Sequence, residues 1–214
     1  MKIIILGANG QLGKSLKKIF QKTSYKFYFF NKSDLDINDH KTLNKKFISI
    51  KPNIIINCCA YTAVDKAEKN YEEANNVNNV AVGNLAQQCL SNDCFLIHVS
   101  TDYVFDGLSE NPYVENDKKN PIGVYGKTKL DGEYKILESG CKFCIIRTSW
   151  IFGEFGNNFL KTILKLASKN DELSVISDQV SSPTYSGDIS QTILTILPLS
   201  LIHISEPTLS LIHI

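Results

Sequence analysis

The sequence predicts an α/β fold built on a doubly wound parallel sheet. Three observations indicate this class: a glycine-rich turn after the first apolar run, an alternation of strand-like and helical stretches, and polar clusters at the strand ends. With 214 residues, of which 43% are hydrophobic and 21% charged, the chain is long enough to bury such a core.

A strand, a turn and a helix open the chain. The apolar, β-branched run Lys2–Leu6 leads into Gly7–Gly13, after which apolar residues recur at helical spacing. Gly7 would allow the tight turn, Gly10 would let the backbone approach a pyrophosphate, and Gly13 would let the helix pack on the strand. The helix N-terminus would offer N–H groups to phosphates. We therefore predict a dinucleotide-binding turn of the Rossmann type; the alternative is a glycine-rich turn without a ligand.

The remaining elements continue the alternation of strands and helices. Further strands are predicted at Tyr25–Phe30, Asn53–Asn57, Phe95–Ser100 and Phe143–Thr148. Helices are predicted at about 40–49, 71–91, 122–138 and 157–168. Ligands of such sheets bind outside the carboxyl ends of the strands, so the residues that follow each strand are the candidates for a site.

The end of the second strand carries no acid where a fold selective for NAD usually has one. Asn31, Lys32 and Ser33 occupy that place. An amide, a cation and a hydroxyl repel a 2′-phosphate less than a carboxylate does, so we expect NADPH to be accepted at least as well as NADH. A solvated turn without cofactor contact is the alternative for Lys32.

Two later segments suggest proton chemistry. Tyr125 and Lys129 are four residues apart, which places a phenol and an ammonium on one helix face. A nearby cation would lower the pKa of the phenol. Thr101 follows the fourth strand and could donate to the same substrate carbonyl that Tyr125 protonates. Chance spacing on a solvated helix, and a turn or helix cap around Thr101, are the alternatives.

Five segments in order resemble the dTDP-4-dehydrorhamnose reductases, a group of extended short-chain dehydrogenases/reductases. The resemblance covers roughly Met1–Leu197. Its segments are Gly7–Gly13, Asn57–Glu68, Ser100–Gly107, Tyr125–Glu133 and Arg147–Trp150. It implies NADPH- or NADH-dependent reduction of the 4-keto group of dTDP-4-dehydro-L-rhamnose to dTDP-L-rhamnose, for surface polysaccharide.

The resemblance also assigns roles to single residues. Thr101 would orient the carbonyl, Tyr125 would donate the proton, and Lys129 would bind the nicotinamide ribose and lower the tyrosine pKa. The expected cofactor contacts are Gly7, Gly10, Gln11, Leu12, Gly13, Lys32, Asp36, Ile37, Cys59, Ala60, Tyr61 and Val99, with Tyr125 and Lys129. Substrate contacts are expected from Thr101, Asp102 and Trp150, although a partly buried core aromatic is the alternative for Trp150.

Two other functions stay open at this point. One is a non-catalytic nucleotide-binding relative that resembles the regulatory subunit of methionine adenosyltransferase. The other is a nucleotide-sugar epimerase or dehydratase. The presence of Thr101, Tyr125 and Lys129 together favours an enzyme, and the Ser-Thr-Asp-Tyr-Val-Phe segment counts against an epimerase or dehydratase.

The composition of the chain indicates which classes of molecule it binds. The net charge is +1 and no basic block occurs, so we expect a small-molecule nucleotide sugar as partner and neither nucleic acid nor membrane. The opening apolar run is too short for a signal peptide, which predicts the cytoplasm; a homodimer is compatible with the sequence. The six cysteines lack a zinc-site spacing, so we predict free thiols and no metal. Cys58 and Cys59 stand where that family usually has two alanines, from which we expect sensitivity to oxidation.

The C-terminus departs from the rest of the chain. Residues 199–204 recur as 209–214, and we interpret 199–214 as a non-native tail; a genuine short β-hairpin is the alternative. The predicted organisation is a cofactor domain over 1–150 and the beginning of a substrate lobe over 151–198, to which Asn157–Phe159 and Ser177–Thr184 belong. The resemblance implies that this small C-terminal substrate lobe is incomplete. We therefore expect the helix near Gly187–Leu197 and its neighbours to expose apolar surface, and the chain to bind cofactor better than it turns over sugar.

Overall fold

The computed structural model describes residues 1–21, 23–175 and 180–200, and the backbone of 208–211. Its strands are β1 (Lys2–Leu6), β2 (Lys26–Phe30), β3 (Ile54–Asn57), β4 (Phe95–Thr101), β5 (Phe143–Thr148), β6 (Ile151–Phe152), β7 (Thr184–Tyr185) and β8 (Thr208–Leu211). Its α-helices are α1 (Gln11–Phe20), α2 (His40–Ile50), α3 (Val64–Ala67), α4 (Tyr71–Asn75), α5 (Ala81–Ser91), α6 (Val124–Ser139), α7 (Phe159–Ala167) and α8 (Ser186–Leu199). A π-helix at Asn76–Val80 joins α4 to α5, and a 3₁₀-helix at Asp102–Val104 follows β4.

The main sheet has the strand order β2-β1-β3-β4-β5-β8, and every pairing in it is parallel. Successive residues of a strand point to opposite faces, and both faces are covered here. Ile3 and Ile5 pack with α1 and α8, whereas Ile4 and Leu6 pack with α2, α5 and α6. The predicted doubly wound α/β fold is confirmed.

The predicted elements lie close to those observed. The four later strands start and end within one residue of their predicted positions. The predicted helix over 71–91 is continuous but contains the π-helix, at a run of asparagines that lowers α-helical propensity. The strand order reverses direction between β1 and β3, so the carboxyl ends of these two strands form the crevice in which such sheets bind ligands.

The expectation of exposed apolar surface is wrong for the helix near Gly187–Leu197, but it holds for the neighbouring α7, four of whose apolar side chains are exposed. Ile189, Ile193 and Leu197 of α8 are fully buried, in one cluster with Leu12 and Leu16 of α1. The apolar face of α8 covers the open side of the sheet next to α1 and therefore does not depend on a separate lobe for its partners. By contrast, α7 has no buried residue.

Much of the C-terminal tail lies outside the described residues, as do residues 177–179 of the predicted Ser177–Thr184 segment. The backbone of Thr208–Leu211 forms β8 and pairs with β5 in parallel. The interpretation of 199–214 as non-native stays a prediction, as do the domain limits at 150 and 198.

Candidate active site

The glycine turn has the geometry predicted for it. Gly7 has a φ of +79°, in the left-handed region that glycine adopts without strain. A Cβ on Gly13 would lie 2.4 Å from the carbonyl oxygen of Gly7, so only glycine lets α1 start this close to β1. Gly10 is the N-cap of α1 and offers no side chain to cap the helix. The N-terminus of α1 thus keeps N–H groups for an anion.

A cleft of about 650 Å³ opens at the carboxyl ends of β1, β2 and β3. It brings together eight of the predicted cofactor residues, namely Gly7, Gly10, Lys32, Asp36, Ile37, Cys59, Ala60 and Tyr61. Further lining residues that sequence reasoning did not single out for a cofactor include Asn9, Asn38, Thr62 and Lys66. The cleft therefore extends from the glycine turn to the segment after β3.

The other predicted cofactor residues lie outside the lining of this cleft. The Leu12 side chain belongs to the core. The Gln11 side chain donates to the carbonyl of Ile151 at 2.7 Å and accepts from Asn158 at 2.8 Å. The backbone N–H groups of Gln11, Leu12 and Gly13 are therefore the groups that can serve a phosphate, while the side chains of Gln11 and Leu12 and the close packing at Gly13 fix α1.

Thr101 and Tyr125 meet at the end of β4. The Thr101 hydroxyl lies close enough to the Tyr125 phenol to lower its pKa, and the Thr101 Oγ1 lies 3.2 Å from Asp102 Oδ1. Tyr125 is the second residue of α6, so the helix start holds its ring against the 3₁₀-helix, where it packs edge-on to Tyr103 at 5.6 Å. The two side chains are neighbours, and the prediction that both hydroxyls act on one substrate oxygen stays a prediction.

The expected lowering of the Tyr125 pKa by Lys129 is not found. Burial raises the pKa of Tyr125 to about 12, and the Thr101 hydrogen bond opposes this rise while Asp102 adds to it. The Lys129 ammonium is 1% exposed and contacts the carbonyl of Val99 at 2.8 Å and His98 Nε2 at 3.2 Å. The expectation of a lowered phenol pKa is wrong, because desolvation outweighs the contact with Thr101.

The predicted substrate-side residues lie at the ends of β4 and β5. Asp102 accepts hydrogen bonds from Thr101 and Ser181, yet burial raises the pKa of its carboxyl. Trp150 follows β5 with a φ of +45°, a left-handed conformation that is strained for a bulky residue. Its indole is half-buried and packs edge-on against Phe159 at 4.9 Å. Strain at the end of a strand is typical of functional positions.

Sequence reasoning missed a set of buried polar residues around α6. His98 and Asn57 are fully buried and join Lys129 in one hydrogen-bonded chain. Glu133 is paired with Arg147, whose Nη2 lies 2.6 Å from Glu133 Oε2. A histidine inside the apolar run Phe95–Val99 and an asparagine ending Ile54–Asn57 were the available signals, since buried polar residues need partners.

The thiols beside the cleft are poorly suited to oxidation, contrary to our expectation. Burial raises the pKa of Cys59 to about 12 and that of Cys58 still further, so little thiolate forms. All six cysteines are free, as predicted. Across the described residues, no group of three His, Cys, Asp or Glu side chains is arranged to hold a metal ion. No helix in the same part of the chain has the length and apolarity to cross a membrane.

Comparisons with known proteins converge on one family. The family model described as RmlD substrate binding domain matches residues 1–209. A dTDP-4-dehydrorhamnose reductase of Aggregatibacter actinomycetemcomitans is 45% identical over 196 residues, covering 91% of this chain and 67% of the relative. One from Sinorhizobium fredii is 39% identical and covers 92% of this chain and 66% of the relative.

A solved structure agrees with these relatives. The dTDP-4-dehydrorhamnose reductase of Bacillus anthracis, crystallised in complex with NADP, superposes with a TM-score of 0.93 at 38% identity. The match covers 99% of this chain and 73% of that structure. The chain thus spans about two thirds of the length of the curated relatives and nearly three quarters of this solved one.

Proposed function

The chain belongs to the family of the RmlD substrate binding domain, and from that premise we propose that it reduces the 4-keto group of dTDP-4-dehydro-L-rhamnose to dTDP-L-rhamnose with NADPH or NADH. One observation carries the proposal: the Thr101 hydroxyl at the end of β4 lies beside the Tyr125 phenol, and the helix of Tyr125 also carries a buried Lys129. The product would serve surface polysaccharide synthesis.

The residues of the cleft fit a dinucleotide. Gly10 leaves the N-terminus of α1 without a side-chain cap, beside a cleft that Asn31 and Lys32 line at its other end. The helix N-terminus would hold the pyrophosphate, and Asp36 with Ile37 would lie beside the adenine. When bound, the nicotinamide supplies the hydride for the ketone.

The protein side chains would handle the proton and the carbonyl. Thr101 would donate a hydrogen bond to the keto oxygen, and Tyr125 would give that oxygen its proton. A phenol with a pKa of about 12 is fully protonated at neutral pH, so the acid form that the reaction needs is the resting form. Asp102 and Trp150 would contact the sugar.

The test compares wild type with Tyr125→Phe for NADPH oxidation in the presence of dTDP-4-dehydro-L-rhamnose. Removing the acid should lower kcat about 100-fold or more. Tyr103→Phe is the matched control, because its ring packs on Tyr125 and its substitution removes a neighbouring hydroxyl only. A Tyr125→Phe variant with wild-type turnover would refute the proton-donor role.

Cofactor preference has its own test. Lys32 is exposed at the cleft and can approach a 2′-phosphate, so NADPH should bind at least as tightly as NADH. Dissociation constants of both cofactors, measured with wild type and Lys32→Ala, check this. Tight NADH binding without detectable NADPH binding would contradict it. We also propose a homodimer, which sedimentation tests, and a cytoplasmic location, which cell fractionation tests.

A further inference from the structure

A chain of three buried polar side chains runs from the sheet to α6. Asn57 ends β3, and His98 is its register partner in β4. Asn57 Nδ2 lies 3.1 Å from His98 Nδ1, and His98 Nε2 lies 3.2 Å from Lys129 Nζ. None of the three residues is more than 1% exposed. The proposed reduction uses Lys129 and gives no task to the other two.

The hydrogen-bond polarity of this chain follows from its first link. The backbone N–H of Cys59 donates to Asn57 Oδ1 at 3.0 Å, so the amide nitrogen of Asn57 faces His98. That nitrogen can only donate, and Nδ1 of His98 must accept. A neutral imidazole that accepts at Nδ1 carries its proton on Nε2. An N–H group of His98 therefore points at Lys129.

The N–H group of His98 interacts differently with the ammonium form and the amine form of Lys129. An ammonium has three donors and no acceptor, so it meets the His98 N–H as donor against donor. A neutral amine accepts from His98 and still donates to the Val99 carbonyl at 2.8 Å. We propose that Asn57 and His98 are positioning residues that stabilise the amine form of Lys129 and so make it a proton carrier rather than a permanent cation.

The charged and titratable groups around Lys129 agree with this. Burial lowers the pKa of Lys129 to about 8; Glu133, Cys59 and Cys58 act in the opposite direction. Burial and the nearby Lys129 hold the pKa of His98 well below its usual range, so the ring is neutral. The Glu133 carboxylate is also engaged by Arg147, which leaves His98 as the polar side chain in direct contact with Nζ.

The proton balance of the proposed reduction gives the amine its use. Tyr125 gives its proton to the substrate oxygen and becomes a tyrosinate. The Lys129 ammonium then returns a proton to Tyr125, through a hydroxyl or water, and becomes the amine that His98 and Val99 hold. Solvent protonates the amine again, so one solvent proton enters the product in each turnover. This inference rests on the proposed function for its role in catalysis.

The first experiment needs no substrate. Nitrogen-15 NMR of the ligand-free protein reports which ring nitrogen of His98 carries the proton. We expect the Nε2–H form, with no imidazolium at neutral pH. An Nδ1–H form or an imidazolium would overturn the inference, whether or not the chain reduces a ketone.

The second experiment changes the donor. In His98→Gln the amide oxygen can accept from an ammonium, and in Asn57→Asp the new carboxylate accepts from Nδ1–H and turns Nε2 into an acceptor. Both variants should raise the pKa of Lys129 by about one unit, which is a tenfold change in the amine fraction. The Nζ chemical shift, followed as a function of pH, measures this pKa. The alkaline limb of the kcat profile should move with it.

Ile97→Val is the control, since Ile97 is a fully buried neighbour of His98 on β4 that belongs to the apolar core. It should change stability slightly and leave the Lys129 titration in place. Circular dichroism shows which variants are folded. Folded variants of both kinds with an unmoved Lys129 titration would overturn the inference. A shifted titration in a protein without ketone reduction would instead remove the proposed function.

Discussion

Two buried charges lie one turn apart on α6 and have opposite surroundings. The carboxylate of Glu133 accepts from Arg147 Nε at 3.0 Å and from Arg147 Nη2 at 2.6 Å, and the Ser100 hydroxyl donates to it as well. The ammonium of Lys129 has a carbonyl and a ring nitrogen as partners. Within the described ranges, no carboxylate forms an ion pair with Lys129.

The difference separates a structural charge from a chemical one. A buried ion pair with all hydrogen bonds formed keeps both partners ionised and fixes the elements that carry them. Here it ties α6 to β4 and β5. A buried charge without a counterion is close to losing its proton, which is the property that proton transfer needs. The same helix therefore carries its anchor at Glu133 and its reactive group at Lys129.

Breaking the anchor should have the largest effect. Arg147→Met leaves Glu133 as an unpaired buried carboxylate and also removes the contact of the guanidinium with Phe105. We expect the free energy of unfolding to fall by about 3–5 kcal/mol, measured by urea denaturation. The double variant Arg147→Met with Glu133→Leu removes both charges and should regain most of the loss. A double variant no more stable than the single one would show that pairing is not what matters.

Removing the reactive charge should instead change how stability depends on pH. The pKa of Lys129 is about 8 in the folded chain against an ordinary 10.5. Between these two pH values the Lys129 side chain is protonated in the unfolded chain and neutral in the folded chain. The free energy of unfolding therefore rises as pH rises from about 8 to 10.5, and this gain is lost when the pH falls back through about 8. The rise attributable to Lys129 is about 3 kcal/mol. Lys129→Met should lack it.

Lys127→Met provides the matched control for this pH dependence. Lys127 is exposed on the same helix, so its removal should leave the rise unchanged. Urea denaturation at several pH values compares the three proteins. An equal rise in wild type and Lys129→Met would mean that Lys129 is not the uncompensated charge.

The layout of the fold could be read from the sequence because its signals are local. The run Lys2–Leu6 and the glycines after it specify a strand, a turn and a helix through their own backbone preferences, and the strands at 26–30 and 143–148 are similar apolar runs. The burial of α8 could not be read in this way. Its apolar face is visible in the sequence, but its partner α1 is more than 160 residues away.

The candidate site was predictable to a lesser degree. Tyr125 and Thr101 follow from a motif, and the cleft from the rule that ligands lie at strand ends. The state of Lys129 depends on His98 and Asn57, which lie on two strands and meet it only after the sheet has formed. The four-residue spacing predicts that Lys129 and Tyr125 share one face of the helix. It does not tell which neighbouring residues bury the ammonium and the phenol.

A smaller effect is expected when Glu133 loses its hydrogen bond from Ser100. Ser100→Ala removes the hydroxyl that donates to Glu133 and leaves the Arg147 pair in place. A hydrogen bond to a charged group contributes about 2 kcal/mol, so the free energy of unfolding should fall by that amount. Ser190→Ala is the matched control, because its buried hydroxyl donates to the neutral carbonyl of Ser186 at 2.7 Å. Equal losses in the two variants would contradict a special role for the charge of Glu133.

The smallest effect is expected at the start of α6. Gly123 is the N-cap and has no side chain, and Glu68, just after α3, accepts the Val124 N–H at 2.8 Å in its place. Glu68→Gln keeps an acceptor oxygen and removes only the charge near the positive end of the helix. The exposed carboxylate should contribute about 0.5 kcal/mol at low salt, and added salt should screen that contribution. Glu68→Ala, which also loses the acceptor, should remain less stable than wild type at every salt concentration. If unfolding by urea gives the same loss for Gln and Ala at high salt, the hydrogen bond to Val124 does not hold the helix start, and the placement of Tyr125 depends on the Glu133 anchor alone.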